Sequence, residues 1–359
     1  MTSGTEKNGP ERLTLIEKFF ERIKLPFTTG CVLITILLSG PLAFIGAFVD
    51  TQDLNEAVRR TVTTTFSSSP QQTSFVAGFV GAVIYSILTF YSMYMTRAMR
   101  MKILRVESEL IQLSPSGEKA YHAAFGRVSD YRPQLILAVP FILLAIPYYY
   151  GQIAAGYGVF FLFFSIVTNV AFGPILAGFV WVYFASLWGL HKFGKEPLSL
   201  KPHYEDALLG TRQTGSLALS LAFTYFAVIV LGTLGLLISP DPVGEAAVVA
   251  LIVPGVLMFF LPLNSIHSRM ADYKELEISS ARKRTADLMR KIGDPQLDKP
   301  EDKLRGLGDV LALQLVKQDV TAIPTWPFDT RILGRFLAII LTVAGILLSR
   351  IIYNILIPF

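Results

Sequence analysis

The chain has 359 residues, 52% of them hydrophobic and only 16% charged, with a mean hydropathy of +0.50. A soluble domain carries about a quarter charged residues, so the composition excludes an ordinary water-soluble globule. A net charge of +5 could suggest nucleic acid as a partner. No stretch interleaves basic and aromatic residues as a nucleic-acid groove would, and no nucleic-acid partner is expected.

The N-terminal segment, residues 1–26, reads as an amphipathic helix lying in the membrane plane. Leu13, Ile16, Phe19, Phe20 and Ile23 share one face, with Glu11, Lys18, Glu21 and Arg22 around it, and Pro26 ends it. Apolar runs then follow at about 28–49, 73–95, 134–151, 159–190, 215–238, 246–266 and 333–356. Each approaches or exceeds the roughly 18 residues needed to cross a bilayer as a helix. The expected fold class is all-α, a polytopic seven-helix transmembrane bundle. Residues 27–266 hold spans one to six, with cytoplasmic loops at 96–133 and 191–214. With the N-terminus in the cytoplasm and the C-terminus outside, 29 of the 32 Lys and Arg fall on the inner side, leaving Arg59, Arg60 and Arg350 beyond it. The positive-inside rule selects that orientation, with the lipid bilayer as partner and the cell membrane as location.

Span two is expected to continue as a helix through RAMRMKILRVESELIQL. Asn169, in mid-span four before Gly173 and Pro174, is a candidate for satisfying a proline kink. Span six carries Pro254 and Pro262 and runs on without Gly or Pro until Gly293, where Gly-Asp-Pro breaks it. A second helix from about Lys303 to Val320 sets Leu304, Leu307, Leu311 and Leu315 on one face. Residues 267–332 thus read as a cytoplasmic helical hairpin, a possible surface for a cytoplasmic protein partner. IPTWPFDTR leads into the last span, with Trp326 and Phe328 as membrane-interface anchors.

No Asp or Glu lies in the hydrocarbon part of any span, which argues against proton or cation antiport through a buried acid. His122, His191, His203 and His267 have no partner at metal-ligand spacing, and no phosphate loop, nucleophile elbow or CxxC occurs. No enzyme, metal or cofactor is expected; His191 and His267 read as polar caps at span ends. The lone Cys31 reads as a packing residue.

Span seven (residues 333–359 to the end of the chain) carries a stripe at intervals of three or four. Its members are Arg331, Arg335, Ala338, Thr342, Gly345, Ser349 and Tyr353, with Arg350 as a charge near the outer end. Close helix packing and the lining of a water-filled path both suit such a stripe. Arg350 suits either snorkelling to headgroups or an anion contact. Span two (Gly78, Ala82, Tyr85, Thr89, Ser92, Thr96) and span five (Ser216, Ser220, Thr224) carry similar faces.

In topology the chain resembles the seven-helix insect odorant and gustatory receptor-like channels: N-in and C-out, mass mostly cytoplasmic, last helix split by the membrane surface. That resemblance implies a homo-oligomer in which 333–356 lines the pore and 303–323 holds subunits together. The family's TY…QF pattern has no match in LTVAGILLSRIIYN, and no residue roles carry over. The functional expectation is an oligomeric channel or passive transporter with span seven near the pathway. A membrane sensor or scaffold signalling through the hairpin is the alternative.

Overall fold

The computed structural model describes residues 13–51, 70–143, 145–146, 149–150, 153, 159–202, 205–206, 208–238 and 242–292, and between 308 and 348 residues 308–312, 314–315, 318, 320–321, 324–326, 334, 336–338, 340–345 and 348. Every regular element among them is helical. Three stretches are long and apolar enough to cross a membrane: Ser165–Lys195, Arg212–Leu236 and part of Ala247–Lys291. A fourth arises if the bent pair Leu15–Arg22 and Phe27–Ser39 is taken as one unit. The sequence pattern predicts seven. Much of the first, second and seventh runs lies outside the described residues or side chains, as do residues 144, 147, 148 and 151 of the third.

Helix α1, Leu15–Arg22, starts at a capping box. Thr14 N and Oγ1 both donate to Glu17 Oε2, at 3.0 and 2.9 Å, which satisfies donors that the first turn leaves without partners. It ends in a Schellman motif: Leu25 N donates to Phe20 O and Lys24 N to Glu21 O, with Lys24 at a φ of 56°. The chain then turns 98° into α2, Phe27–Thr51. The apolar face of α1 is divided. Ile16 and Phe20 are buried, whereas Phe19 and Ile23 are about half exposed. Phe20 closes over Gly30, where a Cβ would lie 2.4 Å from its ring. Cys31, Leu38, Met93 and Ile175 complete that core.

Helix α3, Pro70–Arg105, packs against α2 and against α7, Val159–Lys195, and α8, Arg212–Ile238. The continuation expected after Arg105 is interrupted at Val106. A short α4, Glu107–Leu113, and α5, Gly117–Phe125, follow, because Leu110 and Leu113 turn inward and are buried. Helix α5 settles on α7 at Gly189, where a Cβ would meet Phe125 Cδ1 at 2.8 Å and the Ala124 carbonyl at 2.9 Å. Helix α6, Tyr131–Leu143, lies along α7.

Helix α9, Pro242–Ile292, runs unbroken for 51 residues through Pro254 and Pro262. Proline removes a backbone donor and crowds the preceding turn. Two buried tyrosines bond to carbonyls near Pro254, Tyr225 Oη to Leu251 O at 2.9 Å and Tyr183 Oη to Gly255 O at 3.0 Å; the carbonyls that the prolines leave without a helical donor are those of Ala250 and Met258. The two tyrosine rings stack at 4.1 Å. The expected break at Gly293–Pro295 lies outside the described residues.

Helix α10, Phe336–Gly345, is the described part of the last apolar run. Its Phe336 is fully buried among Phe223, Phe226 and Phe259.

Candidate functional site

The last-run stripe faces away from the chain's own core. Ala338, Thr342 and Gly345 are exposed, whereas Phe336, Ile340 and Val343 are buried. Nothing lies within 4 Å of a Cβ placed on Gly345. The Thr342 hydroxyl donates back to Ala338 O at 2.8 Å. Arg335, Ser349, Arg350 and Tyr353 lie outside the described residues, as does Phe328. Trp326 is half-buried and stacks on His267, ring centroids 4.4 Å apart, while His267 Nδ1 lies 2.9 Å from Thr325 O. This elbow is therefore seated on α9. A second tie, from Lys274 Nζ to Thr321 O at 2.7 Å, lies one to two turns further along.

The second helix of the expected hairpin is described in part. Val310 and Val320 are buried, but Leu311 and Leu315 are 62% and 65% exposed. These two leucines point outward and the valines are turned inward, while Leu304 and Leu307 lie outside the described residues. A helical wheel does not say which side the neighbouring helix covers.

The span-two stripe is internal. Thr89, Ser92 and Thr96 are buried, Thr89 donates to Tyr85 O and Thr96 to Ser92 O, and the Tyr85 ring packs on Phe172. These two hydroxyls are spent on the carbonyl four residues back, as that of Thr342 is. Asn169 Nδ2 donates to Ser165 O at 3.0 Å; the carbonyl that Pro174 would leave without its donor is that of Val170, one turn before the proline. His191 Nδ1 lies 3.1 Å from Leu261 O and 3.0 Å from Ser265 Oγ, so it joins α7 to α9 beside Pro262. Among the described residues no three His, Cys, Asp or Glu side chains gather.

Two charged arrangements were not evident from the sequence. Glu17, 6% exposed, accepts from Arg100 Nη2 at 2.7 Å and has Arg97 Nε at 3.6 Å. This buried pair ties α1 to the last turns of α3. Beside it, Arg100, Ile103, Tyr121, Phe125 and Ser129 line a cavity of about 290 Å³. On another face of α3, Lys102 Nζ donates to Ser220 Oγ at 2.7 Å and Thr224 Oγ1 at 3.3 Å, and Tyr91 Oη to Thr224 O at 3.4 Å. Span length puts Lys102 beyond the membrane, in the cytoplasmic segment 96–133. Its side chain instead leans back toward the N-terminus of its own helix, as helical side chains do, and so reaches α8.

Comparison with protein-family models, with curated proteins and with solved structures finds no match to this chain.

Proposed function

We propose that this chain is a multi-pass protein of the cell membrane with seven spans, its N-terminus cytoplasmic and its C-terminus outside. In this reading, copies of the chain assemble into a channel or passive transporter, with span seven beside the pathway. The observation that carries the proposal is the division of α10. Phe336, Ile340 and Val343 are spent on the chain's own core, and the outward side carries Ala338, Thr342 and Gly345 together with Leu341, which is 69% exposed. A helix facing only lipid has no use for a glycine and a threonine on its outer side. Such residues favour close approach of a second helix or contact with water. The outward leucines Leu311 and Leu315 support the same reading: they suit contact between copies in the cytoplasm.

The sensor or scaffold alternative has its own support. Helix α9 is continuous from Pro242 to Ile292 and is tied to residues 321–326 by His267 and Lys274. A tilt of its apolar half would move the cytoplasmic helices and any protein bound to them.

The test is cysteine substitution at Ala338, Thr342 and Gly345, probed with a water-soluble thiol reagent, together with particle size in detergent. The channel reading expects labelling and a multimer. A strict monomer unlabelled at all three positions would overturn it and leave the sensor reading.

A further inference from the structure

Helix α3 ends in a run of fixed positive charge: Arg97, Arg100, Lys102 and Arg105. Neither α3 nor α8 contains an Asp or Glu. Glu17 is engaged by Arg100 and Arg97, and the next acids along the chain, Glu107 and Glu109, stand beyond Arg105 in α4. No carboxylate forms an ion pair with Lys102 among the described residues. Its ammonium is instead held by the hydroxyls of Ser220 and Thr224. These stand eight and twelve residues into α8, about 12 and 18 Å along its axis. The ammonium is thus drawn well up the side of the bundle, in half-buried surroundings, where a cation with no counter-charge is costly.

The donor inventory of the cluster is unequal to its acceptors. An ammonium has three hydrogens, and two are used on the hydroxyls. Thr224 Oγ1 spends its own hydrogen on Ser220 O, whereas the hydroxyl hydrogen of Ser220 has no acceptor among the described residues. One ammonium hydrogen and one hydroxyl hydrogen therefore lie next to each other, with excess positive charge behind them and Arg105 one turn away. Burial, and then the charge of Arg105, lower the pKa of Lys102, which reflects the same uncompensated field.

We propose that Lys102, Ser220 and Thr224 form a binding site for a small monovalent inorganic anion, of the halide or nitrate class. The set lacks a glycine-rich backbone cradle and a guanidinium fork, which phosphate or carboxylate recognition would use. A single ammonium with hydroxyl donors matches a singly charged, weakly hydrated ion. As an assignment of the permeating species the site rests on the channel reading; as a binding site it stands without it.

The test uses Ser220→Cys in a Cys31→Ala background, so that the introduced thiol is the only one. Reaction rates are compared for two methanethiosulfonate reagents, one carrying a sulfonate and one a trimethylammonium group. The site predicts that the anionic reagent reacts about tenfold faster or more, that chloride or nitrate protects, that Lys102→Met abolishes the preference and that Lys102→Arg retains it. Lys102→Gln serves if the methionine variant does not fold. An unreactive thiol, or a preference indifferent to Lys102, overturns the site. Flux of the unmodified protein in liposomes separates the two claims. Cation flux with the thiol preference intact overturns only the anion as permeant, and no flux of either kind sinks the channel reading while the thiol rates still judge the site.

Discussion

Tyr225 lies so close to Gly255 that a Cβ on residue 255 would sit 2.4 Å from Tyr225 Cε1. That contact lets the tyrosine hydroxyl reach Leu251 O on the far side of Pro254, so a glycine, a proline and a tyrosine act as one unit. Gly255→Ala forces the ring to move, at a cost of about 1–3 kcal/mol. Tyr225→Phe removes only the hydroxyl and costs about 1 kcal/mol. Unfolding of the detergent-solubilised protein should show both losses. Combining Gly255→Ala with Tyr225→Leu should cost less than the sum of the two single changes.

The Glu17–Arg100 pair predicts an asymmetry. Glu17→Gln removes the acceptor shared by Arg100, Arg97 and Thr14 and should destabilise by about 3 kcal/mol, whereas Arg100→Met should cost less, because Arg97 and Thr14 still meet the carboxylate. Replacing both should cost less than the sum of the two single changes. Limited proteolysis at the junction of α1 and α2 gives an independent reading, since this pair fastens α1 to α3.

Lys24 holds a left-handed backbone conformation, which costs an L-residue about 1–2 kcal/mol. Lys24→Gly should stabilise by up to about 1 kcal/mol, after the extra entropy of the unfolded glycine chain. Lys24→Val should destabilise. Melting curves of the two variants should move in opposite directions.

The lowered pKa of Lys102 gives a pH dependence. Its ammonium loses its proton below the ordinary value of 10.5, so charge preference at Ser220→Cys should fade as pH rises toward that value. The sign follows from a base whose charged form is disfavoured in the folded protein: stability from this group rises, and anion preference falls, across the same alkaline range. The other fixed positive charges on its own helix and α8 include Arg105 and Arg212, the only Arg or Lys of α8. A preference that strengthened with pH would contradict this account of the site.

The sequence pattern reads local features well. The turn at Pro26, the long helix through Pro254 and Pro262, and the amphipathic segment before residue 26 all follow from periodicity and breakers, which act over a few residues. It reads the sharing of faces less well. Phe19 and Phe20 belong to one apolar patch on a wheel, yet only Phe20 has Gly30 beneath it. Leu311 and Leu315 form a face that the chain itself leaves uncovered. The Lys102 and Glu17 partners lie 118 and 83 residues away. Pairings at that distance depend on helix register and on the lean of side chains, neither of which hydropathy carries.

The measurement that bears most directly on the proposed function is ion flux through the purified protein in liposomes, with Thr342→Cys as the probe. The account predicts flux that a water-soluble thiol reagent blocks in this variant and not in the unsubstituted chain. Flux unaffected by a fully modified Thr342→Cys, or vesicles that stay tight to anions and cations alike, would contradict a pathway along the outward face of α10.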